Sequence, residues 1–370
     1  MPTHLKHRWS LGSNYLAGIT MGDWLQLLRE NHFAVDSAYW HRAAFITLAS
    51  SMNSYFRRRE ECQFSEQIAA TEIQPPLFIL GHWRSGTTHL HNLLARDPQF
   101  AFANTYQVTN PHTFLTTEET NSRRFAWMLP KTRPMDAVAL NFQAPQEDEL
   151  ATCLMSLRSP YLGTSFPRQE DDYARYLTFS QVPQAEIDAW KSAFIAFLKK
   201  LTFKYRRPLI LKSPPHTARI RLLLEMFPTA RFVHIHRHPY HVFQSCRHFY
   251  DTATWYSYLQ KPDMGKIDTR IIARYRQLHD AFFAERDLIP AGQFHEMSFT
   301  DLEDSPTTAL QTLYEKLSLP DFEKFKPTLL DYTDSLHGYR KNAFLPLETS
   351  LCEQLRDEWT RSFSEWHYRP

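Results

Sequence analysis

PPLFILGHWRSGTTHLHNLL, residues 75–94, is the stretch whose reading decides the fold. Leu77, Phe78, Ile79 and Leu80 form a short apolar run that follows two prolines and stops at Gly81, which predicts a buried strand. A turn runs from Gly81 to Thr88, after which Leu90, Leu93 and Leu94 recur at helical spacing. Strand, glycine turn and helix in succession aim the unpaired N–H groups and partial positive charge of a helix start at one point, which suits an anion. Gly81 and Gly86 keep the glycine spacing of a Walker A loop, but Thr87 stands where the lysine would be and the cation is Arg84. An ATP-hydrolysing loop would lack its phosphate-bridging lysine. A glycine turn that merely joins strand to helix has the same outline.

Outward from this stretch, the 370 residues suffice for one large α/β domain with insertions or for two domains. Apolar residues are 43% and aromatic residues 14%, which excludes wholesale disorder. Lys plus Arg number 42 against 40 for Asp plus Glu, so no general nucleic-acid-binding surface is expected and any cationic site is local. Cys62, Cys153, Cys246 and Cys352 lie far apart with no CxxC pair, which predicts reduced thiols and a cytoplasmic location. The N-terminus carries basic residues without a sustained apolar run, and no stretch of about 18 apolar residues occurs, so neither a secretory signal nor a bilayer span is predicted.

Residues 1–72 read as helical and form a separate N-terminal segment, a lid or a wall of an acceptor pocket, before an α/β domain over 73–370. Its second helix carries Trp40, Phe45, Ile46 and Leu48 and ends near Arg57, Arg58 and Arg59. Such a helix either lies on a lipid surface as a peripheral membrane contact or packs on the main domain. Residues 100–145 read as irregular, punctuated by Pro111, Pro130, Pro134 and Pro145. EDELATCLMSL, 147–157, predicts a helix with an acidic first turn, and 183–204 a longer amphipathic one. A strand over 208–212, a helix over 217–227 and a strand over 230–237 follow. This alternation predicts an α/β fold with a parallel sheet covered by helices.

In an open parallel sheet, ligands gather at the carboxyl ends of the strands. Those positions hold Arg84 with its loop, Lys212-Ser213-Pro214-Pro215-His216, and Arg237-His238-Pro239, with Ser245 about two turns into the following helix. Three strand ends thus bring three cations to one crevice, and arginine's planar fork suits phosphate oxygens. His234, His236, His238 and His241 form a histidine run that could hold a metal, but no HExxH or partnering carboxylate stands at ligand spacing.

Arg84-Ser85-Gly86-Thr87-Thr88 resembles the 5′-phosphosulfate loop of sulfotransferases that use 3′-phosphoadenosine 5′-phosphosulfate (PAPS), in their bacterial-type branch. RHPYHVFQS, with Arg237 and Ser245 eight residues apart, resembles the segment that grips the 3′-phosphate, and the resemblance spans about 77–250. Gly338-Tyr339-Arg340-Lys341 loosely resembles the loop that closes over the nucleotide. The resemblance implies a P-loop-like three-layer fold, a central parallel sheet flanked by helices, with the N-terminal helices as an appendage. It implies PAPS held by Gly81, His82, Trp83, Arg84, Ser85, Gly86, Thr87, Thr88, Arg237, Ser245, Tyr339, Arg340 and Lys341. The implied reaction moves SO₃ to an acceptor hydroxyl, with Arg84 and Lys212 serving the leaving phosphate and no metal required.

The base departs from the family. Where cytosolic members place a histidine after Lys-Thr, this chain has Lys212-Ser213-Pro214-Pro215 and then His216. The stretch AFANTYQ, where tyrosylprotein members carry a glutamate, has no acid. His216 at a strand end and Glu147 or Glu149 at the start of the acidic helix remain the candidates. The aromatic load of the N-terminal helices, of 100–130 and of 248–259 points to an apolar small molecule or lipid as acceptor. Competing readings are a nucleotide kinase or NTPase and a catalytically silent nucleotide-binding scaffold. The oligomeric state is not encoded in any motif.

Overall fold

The computed structural model describes residues 5–12, 14–128, 132–133, 135–136, 140–336 and 342–369. Its principal elements in chain order are α1 (Met21–Glu30), α2 (Trp40–Ala69), β1 (Leu77–Leu80), α3 (Thr87–Leu94), β2 (Ala101–Phe102), α4 (Glu149–Ser156) and α5 (Gln184–Tyr205). They continue with β3 (Leu209–Lys212), α6 (Ile220–Met226), β4 (Arg231–His236), α7 (Pro239–Thr252), α8 (Ile267–Glu285) and β5 (Phe294–Ser298). The chain divides into two compact units. One comprises Met1–Ile73, Ala103–Arg206 and Phe249–Met264, and the other Gln74–Phe102, Arg207–His248 and Gly265–Pro370. Helices α1 and α2 therefore share a unit with 103–206 and 249–264.

The second unit is built on a five-stranded sheet of order β2-β3-β1-β4-β5, parallel throughout. Leu77 pairs in register with Ile210 on one side and Arg231 on the other, so β1 is central. Its four residues are fully covered because both faces carry apolar layers. On one face Leu77, Ile79, Ile210, Val233 and Ile235 meet Leu90, Leu93 and Leu94 of α3 and the leucines of helix Pro306–Lys316. On the other, Phe78 stacks on Phe232 at 5.4 Å and His234 stacks on Phe282 of α8 at 4.0 Å. The parallel three-layer α/β architecture is thus the one that the alternation predicted.

In the first unit, α2 is fixed by Arg42, which is wholly buried. Its guanidinium donates to the carbonyl oxygens of His7, Arg8, Trp255 and Tyr258 at 2.6–3.0 Å. These four acceptors satisfy a charge that burial would otherwise penalise heavily. Trp24 of α1 donates its indole N–H to Thr47 of α2 at 2.9 Å.

Several local expectations are corrected. The span 100–145 is not simply irregular: it contains β2 and helices Thr105–Thr109 and Phe114–Arg124. Asn104 and Gln107 close a reciprocal capping box on the first of these helices. Helix α4 begins at Glu149, leaving Glu147 ahead of it. The predicted helix 217–227 is a 3₁₀ turn over Pro214–Ala218 followed by α6. No described helix is long and apolar enough to cross a membrane. All four cysteines are free thiols.

Candidate active site

Because β3, β1 and β4 are parallel neighbours, Lys212, the turn after Leu80 and Arg237 emerge at the same sheet edge. Lys212 closes β3 opposite Ile79 and is 1% exposed. The turn itself requires glycine at both ends. Gly81 has φ +145°, and a Cβ there would lie 2.6 Å from the Ile235 carbonyl oxygen. Gly86, the residue capping α3, has φ +105°, and a Cβ there would lie 2.3 Å from the ring of Phe299. Side chains rarely tolerate these conformations, so the tight path of the loop is encoded by its glycines.

Within the turn, the Ser85 N–H and hydroxyl both donate to the His82 carbonyl, at 3.1 and 2.8 Å. Thr217, in the 3₁₀ turn after Lys212, accepts from the Gly81 N–H at 2.7 Å and so ties the β3 end to the loop. Arg84 adopts a left-handed backbone, φ +71°, and its Nε donates to Ser245 Oγ at 2.9 Å. Arg237 donates to the Arg84 carbonyl at 3.4 Å, and its guanidinium sits 4.6 Å above the Phe299 ring. The loop arginine, Arg237 and Ser245 are therefore a single hydrogen-bonded cluster. Thr87 and Thr88 form the first turn of α3, where their N–H groups have no helical acceptor of their own.

His82 is buried, and burial lowers its pKa to about 3, so it is a neutral member of the loop. Its Nδ1 lies 2.7 Å from the Trp83 carbonyl oxygen. Arg274 of α8 lies 5.8 Å from the Trp83 ring. Burial pushes the Cys246 thiol up to about 12, so beside this cationic cluster it is no nucleophile. Three cationic side chains, loop N–H groups and the Ser245 hydroxyl at one sheet edge are the donor set that a phosphosulfate and a second phosphate call for.

The base candidates occupy different settings. His216 lies in the 3₁₀ turn after β3, wholly buried, its ring edge-on to Phe78 at 5.4 Å. In the other unit, Glu149 is wholly buried and accepts from Ser159 Oγ at 2.6 Å. Glu147 is partly exposed and accepts from the Tyr161 hydroxyl. Tyr339, Arg340 and Lys341 lie outside the described residues. The histidine run is absorbed by packing: His234 bonds Glu296 at 2.8 Å, and His236 stacks on Trp366 at 4.8 Å and bonds Tyr368. Among the described residues no group of three or more His, Cys, Asp or Glu is placed to hold a metal. Thr217 and Phe299 escaped the sequence reading. Thr217 was within reach, one residue beyond His216, whereas Phe299 follows a strand whose pattern is too polar to recognise.

A sequence model described as the sulfotransferase family matches residues 75–324. Omega-hydroxy-beta-dihydromenaquinone-9 sulfotransferase Stf3, from Mycobacterium bovis and from Mycobacterium tuberculosis, is 36% identical over 335 residues, covering 88% of this chain and 84% of the relative. Among solved structures, sulfotransferase STF9 from Mycobacterium avium superimposes with a TM-score of 0.65 at 17% identity, covering 94% of this chain and 96% of that one. Sulfotransferase STF1 from Mycobacterium tuberculosis H37Rv gives 0.59 at 15% identity, with 96% and 94% covered. At these identities the two structures establish the fold.

Proposed function

The chain belongs to the sulfotransferase family and is an enzyme of that class, and on this premise we propose that it transfers a sulfuryl group from PAPS to the hydroxyl of an apolar lipid. The observation that carries the donor half is the bond from Arg84 to Ser245, with Arg237 on the Arg84 carbonyl. It couples the loop suited to a 5′-phosphosulfate with the pair suited to a 3′-phosphate. The acceptor half is supported by the 36% identity to an enzyme named for a hydroxylated menaquinone. The free cysteines, exposed Cys62 among them, support a reducing cytoplasmic setting.

In this reading the Gly81–Thr88 loop grips the 5′-phosphosulfate, and Arg237 and Ser245 hold the 3′-phosphate. A base, for which His216, Glu147 and Glu149 are the candidates, takes the hydroxyl proton as the acceptor oxygen bonds to sulfur. Arg84 and Lys212 take up the charge left on the phosphate oxygen when the bridging sulfur–oxygen bond breaks. Fixed cations at a partly desolvated sheet edge serve this better than water, since they need no reorganisation as charge develops.

The test is incubation of the protein with PAPS and a panel of hydroxylated quinone lipids and phenols, read by mass spectrometry for added SO₃. Sulfated lipid with matching release of 3′-phosphoadenosine 5′-phosphate is expected. Thermal stabilisation by ATP but not by 3′-phosphoadenosine 5′-phosphate would overturn the donor, and sulfation confined to phenols would overturn the acceptor.

A further inference from the structure

Helix α2 has two opposed faces. Arg42, Ile46, Ser50 and Glu60 are buried along one side. On the other, Trp40, Leu48, Met52 and Tyr55 are exposed by 65%, 71%, 62% and 66%. At 100° per residue these four, with Ala44, fall within an arc of about 120°, and Trp40 and Tyr55 are separated by about 22 Å along the axis. The four-carbonyl clamp on Arg42 prevents the helix from rolling this arc inward.

Charge is arranged around the stripe in one sense. Exposed Arg58 and Arg59 follow Tyr55 on the same arc. At the other end, Trp9, 69% exposed, carries the Arg8 guanidinium 4.4 Å from its ring and lies 4.6 Å from the His41 ring. The acidic residues of α2 are Glu60, Glu61 and Glu66, so none falls on the arc between Trp40 and Arg59. An apolar strip with tryptophan and tyrosine at its ends and cations at both is the composition that settles at the headgroup level of an anionic bilayer. A second copy of the chain fits less well, because a two-fold pairing of this face sets cationic ends against each other whichever way the helices run.

We infer that the outer face of α2, from Trp40 to Arg59, docks the protein on an anionic lipid surface. The inference rests on the reading of the acceptor as a lipid, which such docking would supply directly from the bilayer. It is tested by co-sedimentation of the full chain with phosphatidylcholine vesicles, with and without phosphatidylglycerol, that contain no acceptor. Binding is expected with phosphatidylglycerol and is weakened by salt. Leu48→Ser with Met52→Ser should weaken it by about tenfold or more, since each side chain stops burying apolar area. Arg58→Gln with Arg59→Gln should remove the preference for the anionic lipid. The residues are exposed, so both double variants should keep the wild-type melting temperature and the turnover on detergent-dispersed acceptor. Absence of vesicle binding, binding unchanged in the Leu48/Met52 variant, or a dimer by light scattering that this variant dissolves would each overturn the docking. Intact sulfation of dispersed lipid without vesicle binding sinks the docking alone, and vesicle binding without lipid sulfation sinks the acceptor reading alone.

Discussion

Arg84 holds a left-handed backbone that costs an ordinary side chain about 1–2 kcal/mol. The Ser245 hydroxyl on Nε and Arg237 on its carbonyl offset that cost and fix where the guanidinium points. Three substitutions separate the candidates for the base. Glu147→Gln keeps the Tyr161 partner and the side-chain shape but removes the proton acceptor. If Glu147 is the base, the variant should lower kcat by about 10²–10⁴ with donor affinity preserved, measured by single-turnover sulfation and by titration with 3′-phosphoadenosine 5′-phosphate. Glu149→Gln should lower stability more than turnover, because its carboxylate is wholly buried on Ser159. His216→Ala removes a buried ring packed on Phe78, so it should lower the melting temperature, and it lowers turnover of the folded fraction only if His216 is the base. A loss of that size confined to one of the three variants assigns the base, and near-normal kcat in all three would remove all three candidates.

At the scale of the strand–loop–helix element, Gly86 is the position where one methyl group should do the most damage. Gly86→Ala places a Cβ 2.3 Å from Phe299 at φ +105°, and Phe299 also carries Arg237. The variant should lose at least about 1–2 kcal/mol of stability from the backbone alone and bind 3′-phosphoadenosine 5′-phosphate more weakly. Phe299→Ala combined with it should relieve the clash without restoring affinity, because Arg237 loses its aromatic seat. Calorimetric titration of both variants checks this, and wild-type affinity in Gly86→Ala would refute the proposed grip. The same element shows what the sequence makes legible. Four apolar residues between Pro76 and Gly81 can only be a short buried strand, and β1 occupies Leu77–Leu80 as read. β5, FHEMS, escaped because an edge strand with His295 and Glu296 half-buried has neither alternation nor an apolar run. Missing it concealed Phe299 as well. The helix Thr105–Thr109 had a readable signal in Asn104 and Gln107, three residues apart, but five residues are too few for periodicity. The cations at three strand ends were legible because parallel pairing fixes which ends coincide. The base was not, because choosing among Glu147, Glu149 and His216 depends on burial, which sequence pattern does not resolve at a loop.

Over the whole molecule, buried histidines recur and they set the response to pH. Burial holds His82 and His112 at about 3 and His236 at about 4, and it holds His279 well below its ordinary value, with the neighbouring histidines adding to the effect. In the unfolded chain each titrates near its ordinary 6.5. Above that value both states are neutral at these sites and stability is level. Below it the unfolded chain binds protons that the native state refuses, so stability falls as the pH drops from about 6.5 towards 4. Each of His82, His112 and His279 can contribute a slope of up to about 1.4 kcal/mol per pH unit within that window. Glu296, held at about 2 chiefly by its bond to His234, acts in the same direction but lower, between its ordinary 4.5 and 2. Urea midpoints measured at pH 7.5, 6.5 and 5.5 should therefore be similar across the first interval and fall sharply across the second. His82 and His279 stack at 5.7 Å in one unit, whereas His112 belongs to the other, so both units should lose stability in the same window. A midpoint that stays level down to pH 5.5 would mean that these rings are hydrated or paired in the native protein, and the neutral, desolvated setting assigned to His82 beside the donor loop would fall with it.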